Sequence, residues 1–284
     1  MGSQGDTKKS EFSFLGSSSE AKRLQSQHHL AVNAFGGQIL CPADLSKPSF
    51  RALDSCGADG FWLTELRRQL AHPDSATLIG TDISSYPTDA LPSNVSLIQH
   101  NMMDAYPEDW AGTFDLVHQR AAVAFHPTWE TALEATRRQV ALLRPGGWIQ
   151  LVDSVLPTGA VDPADPPSAR LLKTMGNAMP SMRLNTSIGT RLDDLLREAG
   201  GLEDVHTSRA TVRLGRGAGS PLLEEMGYEE LEKMGALVTM AVEKLGYGVF
   251  TKEELQGLLG ELREEARSEG VELEWYAAWA RKPL

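Results

Sequence analysis

The chain predicts an α/β fold: a doubly wound, mostly parallel seven-stranded sheet with helices on both faces and helical insertions forming a lid. Three observations predict it. Short apolar runs of strand length alternate with segments of helical period, the pattern of a parallel sheet covered on both sides. Two of the runs, RALD and TLIGTD, end on acids, Asp54 and Asp82. The first then turns through the small residues SCGADG into a helical pattern, as a backbone does where it must approach a ligand closely.

The elements follow in order. Residues 1–19, rich in Ser, Gly and Lys, bury little and are expected to form a disordered leader. Residues 20–284 are expected to form one domain. Ala21, Leu24, His28 and Ala31 recur at helical spacing, and Gly36-Gly37 supplies a stop. After a loop bracketed by Pro42 and Pro48, residues 51–54 read as the first strand and 60–70 as a helix. Residues 77–82, 95–99 and 113–118 read as the next three strands. A helical pattern over 130–143 closes at Pro145-Gly146-Gly147, before a fifth strand over 148–153. A helix is expected over 186–199, ending at Gly200-Gly201, and strands over 205–214 and 272–281. Segments of about 157–185 and 219–270 interrupt the alternation as helical insertions, and such insertions commonly lie over the ligand crevice. Thr251 and Glu254 have the spacing of a capping box.

Composition narrows the function. The 284 residues are 41% hydrophobic, which suits one large domain. Mean hydropathy is -0.26, and no apolar run approaches the roughly 20 residues that span a bilayer. No apolar segment of a secretory signal follows Lys8-Lys9. Two cysteines, Cys41 and Cys56, make no disulfide framework. A reduced, cytoplasmic setting is expected, with no membrane partner. The 38 acids outnumber the 27 bases, for a net charge of -11, which repels a phosphate backbone. The expected partner is a small, apolar molecule, not a nucleic acid. The histidines and cysteines have no zinc-like spacing, so no metal is expected.

The small residues answer to a ligand. In an open parallel sheet, ligands bind beyond the carboxyl ends of the strands, at the switch point. Gly57, Ala58 and Gly60 keep the first turn clear of side-chain bulk, and Asp82 follows about 20 residues later, the spacing of ribose recognition. A carboxylate accepts from two hydroxyls at once. Asp104 after the third strand and Asp115 within TFDLVH extend the pattern.

The series RALDSCGADG, GTD, NMMD, FDLVHQR and LLRPGGWIQLVD resembles the motifs of class I S-adenosylmethionine-dependent methyltransferases, a Rossmann-like family. The resemblance covers about residues 50–155, and ELEWYAAWARKP resembles that family's last antiparallel strand. SQHHLAVNAFGG and LCPADLSKPSFRALD look most like methyltransferases of fungal secondary metabolism.

The resemblance implies S-adenosyl-L-methionine as cofactor and a role for each matching position. Asp54, Cys56, Gly57, Ala58 and Gly60 would lie against its methionine part. Asp82 would bind the ribose hydroxyls, Ile83 would pack on the adenine, and Asp104 would hydrogen-bond the adenine amino group beside Met103. His118 would border the sulfonium and the substrate, with Arg120 close by. The family's acid-x-Gly-x-Gly-x-Gly is broken here, since Cys56 and Ala58 fill the first two glycine slots. Alanine costs little where φ is negative. Cys56 is expected to crowd the cofactor's carboxylate or shift the loop, and is read as a small buried residue rather than a reactive thiol.

Methyl transfer needs an aligned nucleophile and a place for its proton. His118 and Asp153, at strand ends, are the candidate catalytic residues. His28, on the first helix, together with Arg120, Met175 and Met179, are candidate substrate contacts. Methionine adapts to irregular apolar shapes, though core packing explains such a cluster equally well. Trp129, Tyr228 and Tyr247 offer flat surfaces. The expected function is methyl transfer to O or N of a small-molecule secondary metabolite. A cyclase-type enzyme on the same scaffold, or a non-catalytic regulatory protein with a degenerate cofactor loop, stays open because of Cys56.

Overall fold

The computed structural model describes residues 16–88, 91–245 and 250–284. Most of the expected leader, and Tyr247, lie outside these. Ser18 and Ser19, assigned from sequence to the leader, belong instead to the first helix, α1 (Ser18–Phe35). Ser17 Oγ accepts the Glu20 N–H at 3.1 Å, an N-cap that the low hydrophobicity of the segment concealed. Gly36, at φ 74°, closes the helix as expected.

The sheet has seven strands: β1 (Arg51–Ser55), β2 (Thr77–Asp82), β3 (Val95–Gln99), β4 (Phe114–Arg120), β5 (Leu143–Ser154), β6 (Glu203–Leu214) and β7 (Val271–Arg281), in the order β3-β2-β1-β4-β5-β7-β6. β1 to β5 pair in parallel, and β7 runs antiparallel between β5 and β6. The chain winds outward from β1 through β2 and β3, then crosses to β4. The crevice of a doubly wound sheet therefore opens at the carboxyl ends of β1 and β4.

Helices cover both faces: α2 (Phe61–Arg67), α3 (Trp129–Leu142), α4 (Pro167–Ala178), α5 (Leu192–Ala199), α6 (Pro221–Leu245) and α7 (Lys252–Ser268). Successive strand residues alternate between the two faces. Leu53, Val117 and Ile149 join Ala132 and Val140 of α3 and Leu195 of α5 in one core. Ala52, Leu116 and Trp148 join Trp62, Leu63 and Leu66 of α2 on the other side. A third cluster unites α1, α4, α6 and α7 with Trp275 and Ala277 of β7.

Two expectations change in detail. Pro145-Gly146-Gly147 is not a turn ahead of the fifth strand but a bulge inside β5, whose pairing with β4 shifts register between Phe114 and Leu116. A Cβ on Gly147 would come within 2.7 Å of the Phe114 carbonyl oxygen, which is why glycine sits there. The helix predicted from Thr186 begins only at Leu192, after a short 3₁₀ turn over Ile188–Thr190. Asn185 Oδ1 accepts from both the N–H and the hydroxyl of Ser187, and such local side-chain bonds compete with helix. The Thr251–Glu254 capping box forms as expected at the start of α7. Among the described residues no helix is long and apolar enough to cross a membrane.

Candidate active site

The β1–α2 loop is built from its backbone outward. The Gly57 N–H donates to the Thr81 carbonyl at 2.9 Å and the Ala58 N–H to Asp82 Oδ2 at 3.1 Å, so the loop is tied to β2. A Cβ on Gly57 would meet Asp54 Oδ2 at 2.9 Å. Cys56, Ala58 and Gly60 stand at φ 63°, 49° and 78°. The negative φ under which alanine would sit easily is therefore not what Ala58 adopts. The left-handed turn that glycine makes freely is retained here by residues that are strained in it. The Cys56 thiol lies 3.3 Å from Met102 Sδ, and burial, helped by the charge of Asp82, pushes its pKa up. That thiol stays protonated, as a small buried residue would.

Beside this loop, His118 Nδ1 lies 2.8 Å from Asp54 Oδ1, and both side chains are buried. A carboxylate only accepts, so Nδ1 carries the proton and the neutral ring keeps its lone pair on Nε2. Trp62 stacks on the imidazole, with ring centroids 4.0 Å apart and planes 7° from parallel. Burial lowers the His118 pKa, against the opposing pull of Asp54.

Asp54, Cys56, Gly57, Ala58, His118 and Arg120, six of the residues singled out in the sequence, line one cleft of about 30 Å³. Leu24, Gln27, Asp59, Phe61 and Trp62 complete it. The sequence reading missed these five. Gln27 carried a signal, being a polar residue on the apolar stripe of Leu24 and Ala31. Trp62 carried none before β4 was placed beside β1. Arg120 donates from Nη1 to Gln27 Oε1 at 2.9 Å and from Nη2 to the Leu24 carbonyl at 3.4 Å, while its buried Nε has no partner among the described residues. Burial lowers its pKa to about 10. His28 of α1 is buried edge-on to Phe61, centroids 5.3 Å apart, and burial pushes its pKa down to about 3.

Asp82 Oδ1 accepts the Ser84 N–H at 3.0 Å, and with the Ala58 bond each oxygen keeps a lone pair to offer. Burial raises its pKa, against the bonds from Ser84 and Ala58. Ile83 is 50% exposed, Met103 half-buried and Asp104 exposed, and none of them lines this cleft.

The remaining candidates lie elsewhere. The Asp153 carboxylate accepts the N–H groups of Val123 at 3.0 Å and Ser154 at 2.8 Å, and burial pushes its pKa up to about 6. It holds the turn that leaves β4, and its charge acts on Arg120 of the cleft. Met175 is buried in the core of α1, α4, α6 and α7, and the half-buried Met179 packs against that core. Among the described residues no group of three or more His, Cys, Asp or Glu could hold a metal ion.

No family model matches the chain. The N-methyltransferase sirN of Leptosphaeria maculans is 33% identical over 267 residues, 93% of this chain and 92% of that protein. The chain belongs to the S-adenosylmethionine-dependent methyltransferases. The N-methyltransferase tcpN of Claviceps purpurea is 31% identical over 93% of this chain and 94% of its own. Among solved structures, the methyltransferase in complex with the Trm112 activator of Haloferax volcanii aligns with a TM-score of 0.50 at 13% identity, over 94% of this chain and 95% of that one, a likeness of fold.

S-adenosylmethionine is the enzyme's cofactor. The residues present fit it: a backbone loop held open by small side chains, a carboxylate with free lone pairs at the end of β2, and a buried arginine with an orphaned N–H.

Proposed function

We propose that the enzyme transfers the methyl group to a nitrogen of a small, largely apolar metabolite, with His118 as the base and Asp54 as the group that orients it. The choice of nitrogen is supported by the relatives, since sirN and tcpN are N-methyltransferases matched over more than nine-tenths of each chain. The chemistry is supported by one observation, the Asp54–His118 hydrogen bond beside the loop.

The bound cofactor supplies an electrophilic methyl group on a sulfonium. A secondary amide or amine nitrogen that accepts it must give up a proton, and His118 Nε2 is the lone pair available to take that proton. Asp54 fixes the tautomer and stabilises the imidazolium that forms. Trp62 holds the ring plane. Because burial lowers the His118 pKa, the ring is unprotonated and ready at neutral pH. Leu24, Phe61 and Trp62 give the cleft an apolar wall that excludes water. In the same reading Asp82 accepts from the ribose hydroxyls, and Ile83, Met103 and Asp104 border the base.

The test supplies S-adenosylmethionine with a ¹³C-labelled methyl group and an extract of the native host. The expected product carries the label at the carbon shift of an N-methyl group. A product labelled only as an O-methyl would overturn the choice of acceptor.

A further inference from the structure

Arg23, on α1, and Arg120, against it, differ in one respect. Arg23 is held by two carboxylates, Glu20 and Glu230, at 2.8 and 2.9 Å. Arg120 has no carboxylate within ion-pair distance among the described residues. Its Nη groups reach only the neutral oxygens of Gln27 and Leu24, and its buried Nε reaches nothing. A guanidinium taken out of water is costly, and the carboxylates of Asp54, Glu230 and Asp153 offset that cost only from beyond ion-pair distance. A ligand that brings a carboxylate to this edge completes the pairing, and the planar fork of Nε and an Nη group matches a carboxylate in bidentate fashion.

The sheet order says which part of a ligand arrives there. Asp82 ends β2, Arg120 ends β4, and β1 with its small-residue loop lies between them. Adjacent strands are about 4.8 Å apart, so the two side chains flank the loop across roughly 10 Å. A nucleoside whose ribose sits at Asp82 and whose arm crosses the loop delivers the end of that arm to Arg120. The acids on the loop side, Asp54 and Asp59, suit the ammonium of the same arm. Resting on the reading of this cleft as the cofactor site, we propose that Arg120 is the anchor for the α-carboxylate of the cofactor's amino-acid arm.

The experiment is calorimetric titration of wild type, Arg120→Gln and Arg120→Lys with S-adenosylhomocysteine and with its decarboxylated analogue, which keeps the amine. Arg120→Gln is expected to weaken S-adenosylhomocysteine by about 10- to 100-fold, the worth of a charge-assisted pair, and to leave the decarboxylated compound within about two-fold. Arg120→Lys, which keeps the charge and loses the fork, is expected to fall between wild type and Arg120→Gln for the first ligand alone. Equal weakening of both ligands would make Arg120 a structural support and overturn the assignment, as would unchanged binding of S-adenosylhomocysteine. Failure of the wild type to bind either compound would instead overturn the cleft as the cofactor site.

Discussion

Asp54 and His118 are register partners on neighbouring parallel strands, and their side chains meet at 2.8 Å with 3% and 1% exposure. An acid that the sequence presents as part of a cofactor loop is thereby the orienting group of an imidazole. His118→Asn, which removes the proposed base, is expected to lower kcat by about 10²- to 10⁴-fold, and Asp54→Asn, whose amide no longer enforces the same tautomer, to lower it less. Cofactor affinity measured by calorimetry should hold for His118→Asn. The lowered His118 pKa places the acid limb of the kcat profile below pH 6.5. A limb centred above that value would remove His118 as the base.

Strain in the loop gives a stability prediction of unusual sign. Ala58 and Cys56 hold left-handed conformations at φ 49° and 63°. Ala58→Gly is expected to stabilise the protein by about 1 kcal/mol, although glycine normally destabilises. Ala58→Val, β-branched at positive φ, should cost on the order of 1–2 kcal/mol. Urea denaturation of the two variants checks the ordering. A destabilised Ala58→Gly would mean that the turn is not under strain.

The same loop shows where sequence reading stops. β2 and β3 begin and end where the apolar runs do, because turn residues flank both runs and an acid closes the first. The helical period of 192–199 continues back through Ser187 and Asn185 in the sequence, while the short-range bonds of Asn185 decide the backbone there. Asp54, His118 and Arg120 were each legible as strand-end residues. Their mutual arrangement was not, because Asp54 and His118 are 64 residues apart and meet only through the strand order. Asp153 shows the converse. Its place at a strand end is legible, while the backbone N–H groups of Val123 and Ser154 that bind it are not.

Asp82 holds the loop through Ala58 and Ser84 and, in the proposed reading, also the ribose. Asp82→Ala leaves the N–H groups of Ala58 and Ser84 without their acceptor, so it disturbs the loop as well as the ribose contact. Asp82→Asn keeps one oxygen. Both are expected to weaken S-adenosylhomocysteine, the alanine variant by about 1–3 kcal/mol. Both should also lower Tm, the alanine variant more, since asparagine turns its NH₂ toward one of the two N–H groups. Unchanged affinity in both would remove Asp82 from the ribose site.

α1 is expected to shift when a ligand of the cofactor's size enters. The cleft between it and the loop holds about 30 Å³, against the several hundred Å³ of a typical cofactor pocket. α1 is held by Arg23 to Glu230 of α6 and by Gln25 to Asp59, at 2.9 and 2.6 Å. Arg23→Met leaves two buried carboxylates unpaired and is expected to cost about 3 kcal/mol in stability. Amide exchange over residues 18–35 should accelerate in that variant and slow in wild type on saturation with S-adenosylhomocysteine. Exchange indifferent to ligand would show that α1 is not the gate.

Acid stability follows from two histidines. His126 is buried, its Nδ1 has no partner among the described residues, and burial lowers its pKa to about 4, while that of His28 falls to about 3. In each case the unfolded chain binds a proton near pH 6.5 and the folded chain does not. Their stabilising effect is therefore complete above pH 6.5 and is lost as pH falls toward 4 and 3. Asp153 acts in the opposite sense, since its folded pKa of about 6 exceeds the ordinary value of 3.8, so the folded state gains as pH falls through that window. Burial lowers the pKa of His100 and His118 as well and raises that of Asp82 in the opposite sense; the lowered histidines outnumber the raised acids, and net stability is expected to decline between pH 6.5 and 4. His126→Gln removes one titration and should flatten the decline by on the order of 2 kcal/mol. Chemical denaturation of both proteins at pH 7, 5.5 and 4.5 decides it, and parallel curves would show that His126 titrates alike in the folded and unfolded chains.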